Sequence, residues 1–398
     1  MVELLSPAGN LEKLKVAYAY GADAAYLGLD HYSLRANAGN FGEQDLQEVI
    51  KLKKQTGKKL YCAMNILFHE EQMDSLKASL GELKRWPFDA FIISDMGLVR
   101  VLRSALGDNV PLHLSTQASC INSESARLYK DLGFQRVILG RETSLEDIRK
   151  IKDSVPGLQL EVFVHGAMCM AYSGRCLLSS FLTGRSANQG DCAHTCRWNY
   201  RLEESEREGV FFPVEEQDGY TTILSSKDLC MIDHIRELED SGVDSLKIEG
   251  RMKSSYYVAV VTRAYRKAID KDVEWMRYRE DLMDISHREY CTGFFYDKGP
   301  VEKECKITEK SYLHEYLFLG FVKEEIKPGI WSLDLRNQIR KGQTLEYLGV
   351  DIHTIEDTEY ILLDSEFQIV DQIDHCKTQY LQTSKPVRSG YIIRRLNE

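Results

Sequence analysis

The sequence predicts an α/β protein: a (β/α)8 TIM-like barrel with a thiol-rich loop after its seventh strand, followed by a small C-terminal β-barrel. Three observations carry this. Short apolar or β-branched runs alternate with segments of helical period through residues 1–270. One Gly/Ser/Ala-rich stretch behind the seventh run holds four cysteines, and after Ile269 the pattern changes to short strands separated by turns. The expected division is residues 1–270 for the barrel, with its loop at 166–227, then a connector over 271–304 and the β domain over 305–398.

The expected strands are Val2–Leu5, Ala24–Leu27, Lys59–Asn65, Ala90–Ser94, Leu112–Thr116, Arg136–Leu139, Leu158–Val164 and Ser245–Ile248. Each is a run of four to eight apolar-rich residues, the length of a barrel strand. The intervening helices are expected at Leu11–Tyr20, Glu43–Gln55, Glu71–Arg85, Gly97–Leu106, Ser123–Leu132, Ser144–Lys150, Leu229–Asp240 and Ser254–Ile269. Asn10, Asn122 and Ser144 are placed to cap helix N-termini, and Gly21, Gly133 and Gly242 to end the helices before them. A doubly wound open sheet is the competing architecture, since alternation alone does not close a barrel. The segment 197–227 reads as a charged β-hairpin covering the thiol loop, with Asp228 near the next helix cap. The C-terminal strands YLFLGFV, IWSLDL, QTLEYLGV and EYILLD are joined by some basic loops.

The 398 residues are 43% hydrophobic and 28% charged, with a formal charge of −10 that argues against non-specific wrapping of nucleic acid while leaving room for a local basic patch. The opening MVELLSPAGN has neither the basic start nor the apolar core of a secretory signal, and no apolar run reaches the roughly 20 residues of a membrane span. A cytoplasmic protein is therefore expected, in which ten cysteines point to metal ligation rather than disulfides. Cys169, Cys176, Cys192 and Cys196 follow the spacing C-x6-C-x15-C-x3-C. Iron–sulfur clusters and structural zinc both take four thiolates, but zinc sites favour tight hooks, and here only the last pair is close.

In a (β/α)8 barrel the chemistry sits in the loops after the strands. Those loops hold Arg35, Asn65, Gln117, Arg141, Glu142, His165, Glu249 and Arg251. Each has a plainer reading. Polar residues after strands often form turns, as Ser6 and Asp95 would. Arg141 with Glu142 and Glu249 with Arg251 could form an ion-paired rim, and His165 could be a buried histidine satisfied by a carbonyl.

The run Glu161-x-Phe163-x-x-Gly166-Ala167-Met168-Cys169-x4-Gly174-x-Cys176-x-Leu178-Ser179 resembles the signature of the peptidase U32 family, the collagenase-like proteins. The opening ELLSPAGNLEKLKVAYAYGADAAYLG, the SLRANAGNF, SSKDL and LKIEGRMKS segments and the C-terminal RNQIRKGQTLEYLG extend the resemblance over nearly the whole chain. It implies a [4Fe-4S] cluster on the four cysteines and oxygen-independent hydroxylation with prephenate as donor. The substrate implied is tRNA, as in the branch forming 5-hydroxyuridine at the wobble position; similar proteins act on ribosomal RNA or ubiquinone precursors, and the family's older name is protease. A dicarboxylate donor needs guanidinium partners, for which Arg35, Arg141, Arg175 and Arg251 are the candidates. His165, Asn65, Gln117, Glu249 and Lys227 are the candidate catalytic residues. The chain contains neither GxSxG nor HExxH, which weighs against a peptidase.

Overall fold

The computed structural model describes residues 1–29, 41–169, 171–198, 216–217, 220–221, 227–296, 315–375 and 377–397. Seven strands run in order and parallel: β1 (Glu3–Pro7), β2 (Ala24–Leu27), β3 (Lys59–Met64), β4 (Ala90–Ile93), β5 (Leu112–Leu114), β6 (Arg136–Ile138) and β7 (Gln159–Ala167). A short hairpin, β8 (Glu216–Gln217) and β9 (Tyr220–Thr221), lies where a hairpin was expected. Next come β10 (Asp228–Cys230) and β11 (Ser245–Ile248). β11 pairs in parallel with both β1 and β7, which closes an eight-stranded barrel and rules out the open sheet. The expected strands are all present in the expected order.

The helices between them are α1 (Leu11–Ala19), α2 (Leu46–Thr56), α3 (Glu70–Leu83), α4 (Gly97–Leu106), α5 (Ser123–Asp131), α6 (Leu145–Ser154), α7 (Leu178–Thr183), α8 (Ile235–Asp240) and α9 (Ser255–Ile269). The caps are where the sequence placed them. Asn10 accepts from Lys13 N at 2.9 Å, Asn122 from Ser125 N at 2.9 Å and Ser144 from Asp147 N at 3.2 Å. Gly133 and Gly242, at φ +85° and +83°, occupy the left-handed region that ends a helix.

One helix was misplaced. Leu229–Asp240 was expected to be helical throughout, but its start is β10, antiparallel to the end of β7 and parallel to β12 (Tyr290–Cys291). The cause is Asp228, which does not cap a helix: its carboxylate is buried and takes Arg288 Nη2 at 2.6 Å and Nε at 3.1 Å. That grip draws the segment out alongside β7 before α8 can begin.

The barrel interior is charged rather than purely apolar. Glu161 on β7, fully buried, accepts from Arg136 on β6 at 2.9 Å and from Lys247 on β11 at 2.9 Å. Arg136 continues to Glu3 at 2.5 Å, and Glu3 also accepts from Tyr61 at 2.8 Å and Ser245 at 3.0 Å. Every buried charge here has an opposite partner and hydrogen bonds, the condition for tolerating ions away from water.

The chain divides into two compact units, Met1–Tyr18 with Ala22–Ser254 and Arg288–Ser311, and Ala19–Gly21 with Ser255–His287 and Tyr312–Glu398. By their contacts α9 and α10 (Trp275–Asp284) group with the C-terminal unit, whereas the sequence division was drawn at 270 and 305. A buried hydrogen bond and a buried ion pair tie α9 there. Arg263 on α9 donates to Gly349 O at 2.8 Å and to Asp281 on α10 at 2.6 Å.

The strands of this unit are β13 (Tyr316–Lys327), β14 (Ile330–Leu335), β15 (Ile339–Arg340), β16 (Leu345–Leu348), β17 (Ile355–Asp357), β18 (Ile361–Leu363), β19 (Ile369–Val370), β20 (Gln372–Ile373), β21 (Tyr380–Gln382) and β22 (Ile392–Leu396). Eight of them form one antiparallel sheet in the order β17-β16-β22-β13-β14-β21-β18-β19, and β15 pairs with β20. Its core includes Leu319, Leu345, Tyr347, Leu381 and Ile393. Arg394 on β22, within the basic C-terminal run, is buried and bonds Glu346, Asp281 and Asp284, so it belongs to the scaffold. No helix among the described residues is long and apolar enough to cross a membrane.

Candidate functional site

At the C-terminal ends of the barrel strands lies a cavity of about 510 Å3. Its floor is made by Tyr26 from β2, Phe163 from β7 and Lys247 from β11. Asn65, Gln117, Arg141, Glu249 and Arg251 line its walls from the segments that follow β3, β5, β6 and β11. Its roof is the loop after β7, which contributes Arg175 and all four of Cys169, Cys176, Cys192 and Cys196. Ten of the thirteen residues singled out as metal, donor-binding or catalytic therefore meet in the one cavity, Arg141 and Glu249 among them as guanidinium and carboxylate partners.

The remaining candidates fall elsewhere. His165 is buried with its ring 5.3 Å from Tyr290, and it is not among the described lining residues. Its neighbours explain this. Phe163 pairs with Lys247 but His165 with Ile248, so β7 spends two residues against one of β11, a bulge that changes which side chains face inward. Lys227 forms an ion pair with Glu289 at 3.0 Å instead of lining the cavity. Arg35 lies outside the described residues.

The ion-paired rim, the plainer reading of Arg141, Glu142, Glu249 and Arg251, is met across strand ends by one pair, Arg141 with Glu249. Arg141 stacks over Phe163, its guanidinium 3.9 Å from the ring centroid, and reaches Glu249 at 3.7 Å. Glu142 turns to the thiol loop, accepting from Ser173 N at 2.7 Å and Ser173 Oγ at 3.0 Å. Gly140 makes room for this contact, because a Cβ there would lie 3.0 Å from Glu142 Oε2 and 2.8 Å from Ile121. Arg251 is 4% exposed, with its guanidinium 5.8 Å from the Tyr26 ring. Asp95 is the turn former expected, accepting from Phe68 N and Gly97 N.

Among the described residues three side chains, Glu142, Arg175 and Gln189, pin the roof to the barrel. Besides Glu142, Arg175 Nε donates to Gln117 O at 2.6 Å, and Gln189 donates to Leu67 O in the segment after β3. Inside the loop, Asn188 Oδ1 accepts from Cys176 N at 3.1 Å, and His194 N donates to Cys192 Sγ at 3.4 Å. Asn188 and Gln189 carry no local signal, since both sit in an irregular segment with no period.

Among the described residues no three His, Cys, Asp or Glu side chains are gathered as ligands of a single metal ion. The four loop thiols nevertheless form no disulfide, are partly or fully exposed, and open into one cavity. A multi-iron cluster presents a separate iron to each thiolate and does not need them to converge on one point. The donor set and the small side chains around it fit such a group, which Cys169, Cys176, Cys192 and Cys196 would hold. Cys62 and Cys120 differ: both are buried, and burial pushes the Cys62 thiol up strongly and the Cys120 thiol to about 11. They are packing residues.

The model of peptidase family U32 matches residues 9–304, and that of the family's C-terminal domain matches 314–394. The chain belongs to peptidase family U32. Among U32 relatives, tRNA hydroxylation protein P1 of Bacillus subtilis (strain 168) is 38% identical over 94% of this chain and 89% of its own length. The tRNA hydroxylation protein P of Escherichia coli (strain K12) is 35% identical over 87% of this chain and 86% of its own length. A U32 relative named Collagenase, from Porphyromonas gingivalis (strain ATCC BAA-308 / W83), is 32% identical over 90% of both chains.

Proposed function

We propose that this U32 chain is an iron–sulfur-dependent, oxygen-independent tRNA hydroxylase that forms 5-hydroxyuridine at the wobble position, with prephenate as hydroxyl donor. The observation that carries the reading is that four thiols and the Arg141, Arg175 and Arg251 guanidiniums open into one cavity at the active end of the barrel. The two relatives named as tRNA hydroxylation proteins support it, matching this chain over most of its length. A reducing cytoplasm suits both the thiols and the substrate.

When bound, a [4Fe-4S] cluster supplies electron transfer at the roof. The rest is assigned to side chains. Arg141 and Arg251 present planar forks to the two carboxylates of the donor. Asn65 and Gln117 offer amide donors and acceptors suited to the edge of a uracil, which must be extruded from its stack to enter the cavity. Glu249 is the one carboxylate among the described lining residues, and we assign to it the proton released from the base as the hydroxyl replaces hydrogen. Closure by the pinned roof keeps water from competing.

The second reading is peptidase, favoured by the relative named Collagenase. Mass spectrometry of tRNA nucleosides from cells lacking this protein separates them: loss of 5-hydroxyuridine derivatives, restored by the wild-type gene, is expected. Unchanged derivatives together with cleavage of gelatin by the purified protein would establish the peptidase instead.

A further inference from the structure

Four residues of one strand and its continuation, Ser245, Lys247, Glu249 and Arg251, occupy alternate positions, and alternate residues of a strand share a face. Ser245 meets Glu3 deep in the barrel, while Glu249 and Arg251 line the cavity. Lys247 lies at the step between. It is 4% exposed, yet it lines the cavity. Its ammonium sits 4.4 Å from the centroid of the Tyr26 ring and 5.4 Å from that of Phe163. Arg251 shares the Tyr26 ring at 5.8 Å and Arg141 the Phe163 ring at 3.9 Å. Three cations from two strand ends thus gather about two aromatic faces, with Lys247 common to both.

Lys247 has a partner below it. Glu161 accepts from the ammonium at 2.9 Å but also serves Arg136 at 2.9 Å, so one carboxylate is divided between two buried cations. An ammonium has three donors, and Glu161 takes one. Burial pulls the Lys247 pKa below its ordinary value while Glu161 pushes back, the behaviour of a cation short of solvent. Among the described lining residues, four cationic side chains, Arg141, Arg175, Lys247 and Arg251, stand against the single carboxylate of Glu249. The chemistry most complementary to that floor is an anion small enough to enter between aromatic walls.

We propose that Lys247 is the innermost anion-binding group of the cavity, seating one carboxylate of a small organic diacid against the Arg141 and Arg251 guanidiniums. This rests on the reading above that the cavity takes a dicarboxylate donor, and it adds where the acid is anchored. A compact ammonium on a short reach suits the narrow floor, while the forked arginines suit the wider mouth. Glu161 is the positioning residue that holds the ammonium upright. The competing account is that Lys247 only staples β11 to β7.

Calorimetric titration of malonate and of prephenate into the anaerobically purified full chain distinguishes them, with thermal melts run alongside. Wild type is expected to bind both acids, and Lys247→Met to lose at least tenfold in affinity for each. Should Lys247→Met melt early because Glu161 has lost a partner, the double variant Lys247→Met/Glu161→Gln, which removes the stranded charge as well, is read in its place. Wild-type affinity in whichever variant folds would overturn the seat and leave the donor reading standing. Lysine-dependent binding of malonate without binding of prephenate would confirm the seat and overturn the donor's identity. Binding of neither acid by wild type would overturn both.

Discussion

Arginine 141 reads from the sequence either as a donor-binding fork or as a member of an ion-paired rim, and the structure lays it across Phe163 and towards Glu249 on the neighbouring strand end. That geometry makes the fork matter more than the charge. We predict that Arg141→Lys and Arg251→Lys fold normally yet lose at least about tenfold in hydroxylation, or about 1.4 kcal/mol of transition-state stabilisation. Nucleoside mass spectrometry after complementation reads this, and wild-type levels in both variants would reduce the two arginines to scaffold. Glu3 makes a prediction about pH. Burial alone would raise its pKa, but the hydrogen bond and charge of Arg136 outweigh burial and hold it below the ordinary 4.5. A depressed carboxylate contributes stability that is present above its unfolded pKa and lost as pH falls through the folded one. Glu3→Gln should therefore melt below wild type at neutral pH, and the gap should narrow on acidification below 4.5; a gap that widens there would contradict the assignment.

Elements differ in how openly the sequence announces them. The barrel strands were legible because each is a short run rich in apolar residues and mostly buried, and three of the helices because Asn10, Asn122 and Ser144 cap them. β10 was not legible, since three residues carry no period and its form depends on Arg288, sixty positions away. Lys247 was missed although a signal existed: Ser245, Lys247, Glu249 and Arg251 alternate with apolar or small residues, the mark of a strand whose inner face is polar. The thiol loop was legible in its ligands but not in its three pins, which bridge to distant strand ends. Those pins carry an element-scale prediction. Replacing any of Cys169, Cys176, Cys192 or Cys196 by Ala should abolish bound iron in anaerobically purified protein, and replacing Cys62 or Cys120 should not. Glu142→Gln, which weakens the hold on Ser173, should lower iron content without unfolding the barrel. One equivalent of zinc and no iron in wild type would contradict the cluster.

The whole molecule places its basic C-terminal residues unequally, and this changes how RNA binding must be tested. Removing Cys305–Glu398 would strip α9 and α10 of Gly349 and Arg394, leaving buried Arg263 and Asp281 without most of their partners. Surface charge is the cleaner variable. Arg336, Lys341 and Arg388 are 43%, 70% and 73% exposed at their side chains, near acidic neighbours that water and salt screen. Changing all three to Glu should weaken tRNA binding at fixed salt and flatten its salt dependence while leaving iron content unchanged; equal affinity would remove this unit from RNA engagement. The interleaved path of the chain also sets an order of manufacture. β10 borders the strand that leads into the thiol loop, and it is secured by Arg288, which is made only after α9 and α10 have emerged. At about 5–20 residues per second, Cys169 leaves the ribosome on the order of ten seconds before that clasp exists. A newborn chain therefore carries all four loop thiols for seconds before β10 can be clasped beside β7.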